Sequence, residues 1–369
     1  MSSILLIDDE QEPLRELERE VRSALKGVDV ITWLPKRADG EGFEYFEKLR
    51  TEHEPRLVAT DYNLTTEGMG GLYGSTIVDW CQQNLIPAAD FSRRIRNRLP
   101  EEAKLFELRI STDPREAAQQ LASYWRGFER IRSDFEDVEG VREPFEHVRS
   151  PAAALSRVLK GTHDESLFAL YATGYGGANS ALLDEIRKTM SPDVVPEVAR
   201  KRALLTYICG HVLINGVLKF PGPIIHANAL AAHCGVASAA SAEVGELFSA
   251  CEYEGPFSEL GRYYWFDCVQ ARLEEWGDPM EAALAALNAE TIGEMNRAII
   301  EARLKRLLPR HECTRCHGRN GGFWCPLSLR PVCLRADCSV AATSWIPRGA
   351  QLCRIERDFY EEWAPILGA

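Results

Sequence analysis

Residues 4–10 read ILLIDDE and residues 57–64 read LVATDYNL. Each is a short apolar run that ends in acid, the pattern of a strand buried on both faces of a parallel sheet. Between them Leu14, Leu17, Val21 and Leu25 recur at helical spacing after Pro13, with Gly27 where a helix should stop. Val28, Val30, Ile31 and Trp33 suit a second strand, Phe43, Tyr45, Phe46 and Leu49 a second amphipathic helix, and Leu57, Val58 and Ala59 a third strand ending at Asp61. Strands four and five are expected at Leu85–Phe91 and Leu105–Ile110, and a long helix from Pro114 to about Phe135. Strand and helix in alternation predict a doubly wound parallel sheet.

Ligands of such sheets collect at the carboxyl ends of the strands, so Asp8, Asp9 and Asp61 should converge at one edge. Crowded carboxylates raise one another's pKa unless a hard cation such as Mg²⁺ neutralises them, and Mg²⁺ prefers few protein oxygens plus water and phosphate. That chemistry is phosphoryl transfer, with an aspartate attacking phosphorus to form an acyl phosphate.

ILLIDDEQEPLREL, followed about fifty residues later by LVATDYNL, resembles a response-regulator receiver domain over roughly residues 1–125. The resemblance implies a flavodoxin-like α/β fold, Asp61 as phosphoacceptor and Asp8 and Asp9 as the acidic metal pair. It also implies that the Asn63 backbone carbonyl completes the Mg²⁺ shell, that Ser92 supplies the switch hydroxyl, and that a histidine kinase is the donor. The chain departs from the family where a lysine followed by proline should end the fifth strand, because it reads ISTDP there. Lys104 lies at the wrong end of that strand, and the direction of Arg109 turns on a one-residue register. The loop TTEGMGG and the helix from Pro114 are both long for a receiver, so the domain is a divergent one. The bland alternative is a pseudo-receiver that binds a protein partner without phosphorylation.

The chain has 369 residues, which suggests more than one core. The sequence reads as a receiver over 1–140, a mainly α-helical domain over 150–308 and a small zinc-ribbon-like module with its tail over 309–369. EPFEHVRSP, just before and including Pro151, marks the first boundary. No apolar run is long enough to span a bilayer and the N-terminus carries acids, so a cytoplasmic location and no membrane partner are expected. In a reducing compartment clustered cysteines more often hold metal than pair as disulfides. Net charge is −12 overall, divided as −9 over residues 1–150, −7 over 151–300 and +4 over 301–369, so only the tail could attract nucleic acid by charge.

Helical spacing recurs at Ala153–Leu159, Leu167–Tyr171, Ala181–Met190 and Val198–Leu218. ATGYGGANS lacks the lysine and preceding strand of a phosphate cradle and reads as a turn. NALAAHCGVASAASAEVGELF resembles a helix-turn-helix, with Gly235 at the turn and Leu230, Ala231, Val236 and Val244 in packing positions. No Lys or Arg occurs between Lys219 and Arg262, so DNA reading is not expected and a protein contact is. His211, His226 and His233 are 15 and 7 residues apart, which puts no two on one helical turn, and GRYYWFDCV reads as core. No nucleophile and base stand at a meaningful spacing, so the chain reads as a signalling protein; an enzyme within 151–300 stays open.

From Cys313 the chain reads CTRCHGRNGGFWCPLSLRPVCLRADC. Cys313 with Cys316 and Cys333 with Cys338 have metal-ligand spacing, and four thiolates would make a closed, structural Zn²⁺ site. Cys325 is an alternative ligand, and His311 and His317 could also substitute. Trp345, Tyr360 and Trp363 follow with bases nearby, and Cys353 reads as a buried residue. The expected function is a two-component regulator, phosphorylated on Asp61, that signals through protein contacts of its C-terminal region, with a homodimer compatible. Its rivals are the adaptor named above and a nucleic-acid-binding regulator using the basic tail. The output region also resembles divergent receiver proteins of bacterial anti-phage signalling operons, such as the Detocs type, though no motif fixes that likeness.

Overall fold

The structure is a computed structural model that describes residues 3–35, 42–61, 64, 73–91, 105–136, 148, 150–159, 168–171, 178–191, 197–277, 291–318, 321–341 and 345–367. The chain falls into two compact units, Met1–Val212 and Leu213–Ala369.

The first unit is built on five strands: β1 Ser3–Ile7, β2 Asp29–Trp33, β3 Pro55–Asp61, β4 Ala88–Phe91 and β5 Leu108–Arg109. All neighbours are parallel and the order is β2-β1-β3-β4-β5. The sequence direction therefore reverses at β1 and β3, which leaves a crevice at their carboxyl ends. Helix α1 (Gln11–Ala24) turns Leu14, Leu17 and Val21 inward and packs on α4 (Pro114–Asp134). On the other face Leu5, Ile7, Val58 and Ala88 form one core with Phe46 of α2 (Gly42–His53) and with Ile77, Trp80 and Cys81 of α3 (Gly74–Gln83). Helices on both faces explain why the central strand β1 is buried along its whole length, whereas the edge strand β2 alternates between buried and exposed residues. The fourth strand starts three residues later than its apolar run suggests, because Leu85 turns with φ +58° before Ala88 pairs with Val58.

Three further helices complete this unit: α5 (Pro151–Val158), α6 (Ser180–Met190) and α7 (Val198–Val212). Helix α7 lies against α4 with Gly210 at the contact, where an added Cβ would fall 2.0 Å from the Phe128 ring. His211 follows it, fully buried among Phe106, Phe128 and Tyr207, with ring centroids 4.5–5.7 Å away. Burial pushes its pKa down to about 3, against a weaker upward pull from the Leu105 backbone. Its folded pKa lies below the unfolded value, so the neutral ring stabilises the fold fully above pH 6.5 and that stability is lost as pH falls towards 3. Between pH 7 and 5 the native protein should lose about 2 kcal/mol more than His211→Leu, a difference that thermal melts of the two proteins would measure.

The second unit is helix-rich with short strands. The apolar run from Val198 does not continue as one α-helix to Leu218; α7 ends at Val212 and Leu213–Val217 form a π-helical turn. Two strands that the sequence does not announce, β6 (Ile224–His226) and β7 (Tyr263–Trp265), pair antiparallel. At three residues each they are too short for alternation to show. Each leads directly into a helix, α8 (Ala227–His233) and α10 (Phe266–Gly277). Helix α9 (Ser241–Leu247) packs on α8, so residues 227–247 are two helices about a turn at Gly235. Gly235 has φ +63°, and a Cβ there would meet the Gly293 carbonyl oxygen at 2.3 Å, so the turn requires glycine. Leu230, Val236, Val244 and Phe248 share a core with Ile300 of α11 (Ile292–Leu304). Tyr264 is fully buried in that core, with Tyr263 beside it largely buried. A disulfide joins Cys251 to Cys268, a pairing that a 17-residue separation without a motif does not signal.

Candidate functional site

Strand β1 ends at Ile7, opposite Thr60 of β3, so the next residues on the two strands are Asp8 and Asp61. The strand register thus brings the acids together. Carboxylate oxygens of Asp8, Asp9 and Asp61 all lie within 4.8 Å of one another. Asp8 and Asp9 are 3 % and 2 % exposed, whereas Asp61 is half-buried. Their approach is braced by backbone: the Asp8 N–H donates to the Trp33 carbonyl at 3.3 Å and the Glu10 N–H to Asp8 Oδ1 at 2.8 Å. Like charges this close, two of them nearly sealed from water, repel unless a cation or a shared proton compensates. Three carboxylates at this separation could hold one metal ion, and oxygen donors suit a hard divalent cation. Asn63, Ser92 and Lys104 lie outside the described residues.

The fate of Arg109 is set by register. Asp90 pairs with Thr60 on one side and Arg109 on the other, on the sheet face that carries Ala88. Asp61 is matched with Phe91 instead, one residue further and therefore facing the other way. Arg109 accordingly acts on Asp90: burial raises that carboxyl to about pKa 6 and the Arg109 charge opposes the rise.

Next to Asp8 is a small crevice walled by Leu17, Phe91, Ser111, Thr112 and Ala117. Its rim is held by the start of α4. Asp113 caps that helix, accepting from the Arg115 and Glu116 N–H groups at 3.1 and 2.9 Å. The Ser111 hydroxyl donates to Glu116 at 2.7 Å, and the Ser111 N–H donates to the Gln120 side chain at 2.7 Å. The residues after β5 therefore bring hydroxyl groups to the edge. Sequence reasoning passed over Ser111 and Thr112, although ISTDP places them one and two residues beyond Ile110.

A second group of metal-ligand side chains forms in the other unit, where Sγ atoms of Cys313, Cys316, Cys333 and Cys338 lie within 4.8 Å of one another. Strands β8 (Gly321–Cys325) and β9 (Arg330–Cys333) make an antiparallel hairpin, and Cys333 is the last residue of β9. The loop of Cys313 and Cys316 is tied to that strand through Thr314, whose N–H and hydroxyl both donate to the Pro331 carbonyl at 3.0 Å. Within the loop the Gly318 N–H points at Cys316 Sγ (3.3 Å) and the Cys313 N–H donates to the Gly318 carbonyl (3.0 Å). The second pair closes where the Cys338 N–H donates to the Arg335 carbonyl at 2.9 Å. Burial works to raise the Cys316 thiol, but the Gly318 N–H and the neighbouring sulfurs outweigh it and bring the pKa down to about 7. Four thiols at this separation could hold one metal ion, and an all-sulfur tetrahedral set is compatible with zinc.

The other candidates sit elsewhere. Cys325 packs with Val332 and Ile355 and accepts from the Ser328 N–H at 3.3 Å. His311 is buried with Nε2 3.2 Å from the Val332 carbonyl, and exposed His317 contacts Glu312 at 2.9 Å. Cys353 is buried. His226 caps α8 by accepting from the Asn228 N–H (3.3 Å), and His233 Nε2 lies 3.0 Å from the Gln270 amide nitrogen. No helix among the described residues is long and apolar enough to cross a membrane. Compared with protein-family models, with curated proteins and with solved structures, the chain matches none.

Proposed function

We propose that the first unit is a phosphoacceptor and that the protein is a cytoplasmic two-component regulator. The observation that carries this reading is the convergence of Asp8, Asp9 and Asp61 at the reversal point of a parallel sheet. An Asp61 carboxylate oxygen attacks the phosphorus of a phosphohistidine on a histidine kinase. The P–N bond breaks as the P–O bond forms, and the imidazole nitrogen leaves and takes up a proton. Mg²⁺ held by the three carboxylates and the Asn63 carbonyl would neutralise charge on the equatorial oxygens. Ser92 would bond the transferred group. The four thiolates would bind Zn²⁺ and hold the hairpin, and the C-terminal region would act through protein contacts. Phosphorylation assayed in wild type and Asp61→Asn tests the reading; label incorporated equally by both would refute it.

A second reading, a phosphorylation-independent adaptor, is favoured by one observation. Arg109 is engaged with Asp90 on the opposite sheet face, and the sequence has no lysine at the end of β5. In both readings the helix pair of residues 227–247 contacts protein rather than DNA, since it carries no Lys or Arg. Duplex binding should be weak, without sequence preference, and lost at moderate salt, as a gel-shift series would record.

A further inference from the structure

Two elements run from the carboxylate edge into the body of the first unit. One is α3, the first described helix after Asp61, and the other is β5 with the segment before it and α4 after it. The helices that follow in the chain grip both. Asn179, the N-cap of α6, donates through its side-chain amide to the Asp79 carbonyl (3.1 Å) and carboxylate (2.8 Å) of α3. The Asn179 N–H donates to the side-chain oxygen of Gln82, which is 4 % exposed. Gln82 also shares a hydrogen bond with Tyr207 of α7. Tyr207 in turn stacks on Phe106, two residues before β5, with centroids 5.7 Å apart and ring planes 12° apart. His211 and Gly210 close on Phe128 of α4.

Resting on the receiver reading above, we propose that α6 and α7 are the receiver's own reader, sensing the state of Asp61 within the chain through Gln82, Phe106 and Phe128. The argument is geometric. Gln82 belongs to α3 and Phe106 leads into β5, while Phe91, the register partner of Asp61, lies on the strand beside β5. Any change that moves β4 and β5 relative to α3 changes the span between the two grips. Close-packed contacts yield to such a change by repacking rather than by stretching, so α6 and α7 must respond. Coupling is reciprocal, so a tighter grip would also alter how readily the edge is occupied.

Hydrogen exchange of the full chain, with and without Mg²⁺ and acetyl phosphate, tests this, with intact mass taken on the same samples. Formation of the adduct should change exchange in the first turn of α6 and along residues 204–212 by roughly fivefold or more. Asn179→Ala, which removes side-chain hydrogen bonds to Asp79 of α3 and is not one of the clustered carboxylates, should keep the adduct and lose the response in α6. An adduct accompanied by exchange changes confined to the strand ends, or a full α6 response in Asn179→Ala, would overturn the proposal alone. Absence of any adduct would overturn the receiver reading and this proposal with it.

Discussion

Replacing Cys313 and Cys316 by serine should strip the metal from the C-terminal region and unfold it locally. The four-thiol group joins two loops and the end of β9, with Cys313, Cys333 and Cys338 buried against one another and against partly buried Cys316. Structural zinc in small modules supplies roughly 10–16 kcal/mol of apparent binding free energy at neutral pH, far more than such a short hairpin gains from its own core. The native protein should carry one zinc per chain by metal analysis, and the double variant close to none. Exchange protection across β8 and β9 should fall with it. Cys325→Ser is the internal control. Its sulfur lies among Val332, Ile355 and the Ser328 N–H, so that variant should keep the zinc and lose only packing. A native stoichiometry near zero, or a Cys325→Ser protein that loses its metal, would contradict the assignment of ligands.

The second large effect concerns the carboxylates. Asp61→Asn removes the oxygen anion that would attack phosphorus in the proposed reaction and should abolish phosphoryl transfer. Asp8→Ala and Asp9→Ala leave Asp61 intact but each removes one of the three carboxylates that would hold the cation. A divalent ion contributes several kcal/mol of charge stabilisation to such a transfer, and each 1.36 kcal/mol is tenfold in rate, so either change should slow it by roughly a hundredfold or more. The fold should survive both, because the strands beneath are apolar and the exchanged residues lie at their ends. Initial rates with a phosphodonor at fixed Mg²⁺ measure the effect. Rates within about twofold of native would show that the acids hold no catalytic cation.

Much of the first unit was legible because its signals are local. ILLI and LVA are short apolar runs of the kind a doubly covered strand gives, and each leads to an acid that the register then brings to one edge. The direction of Arg109 was not legible, since a single residue of register decides which face it takes, and the pairing of Asp90 with Arg109 is set by long-range packing. Spacing offered the pairs Cys313 with Cys316 and Cys333 with Cys338, because a knuckle is a local turn, but it left Cys325, His311 and His317 open, because which sulfurs meet is decided by the fold. Strands β6 and β7 were missed since three residues carry no period, and the Cys251–Cys268 disulfide depends on a fold that brings the two together. The grip of Asn179 and Tyr207 on α3 spans about a hundred residues of sequence and leaves no local trace.

Intact mass of the full chain after incubation with Mg²⁺ and acetyl phosphate, beside the same incubation of Asp61→Asn and one with chelator in place of Mg²⁺, tests the central claim most directly. The account predicts a single added phosphoryl group in the native protein, absent from the variant and from the chelated sample. No addition to the native protein under conditions that phosphorylate a control receiver, or an addition that persists in Asp61→Asn, would contradict it.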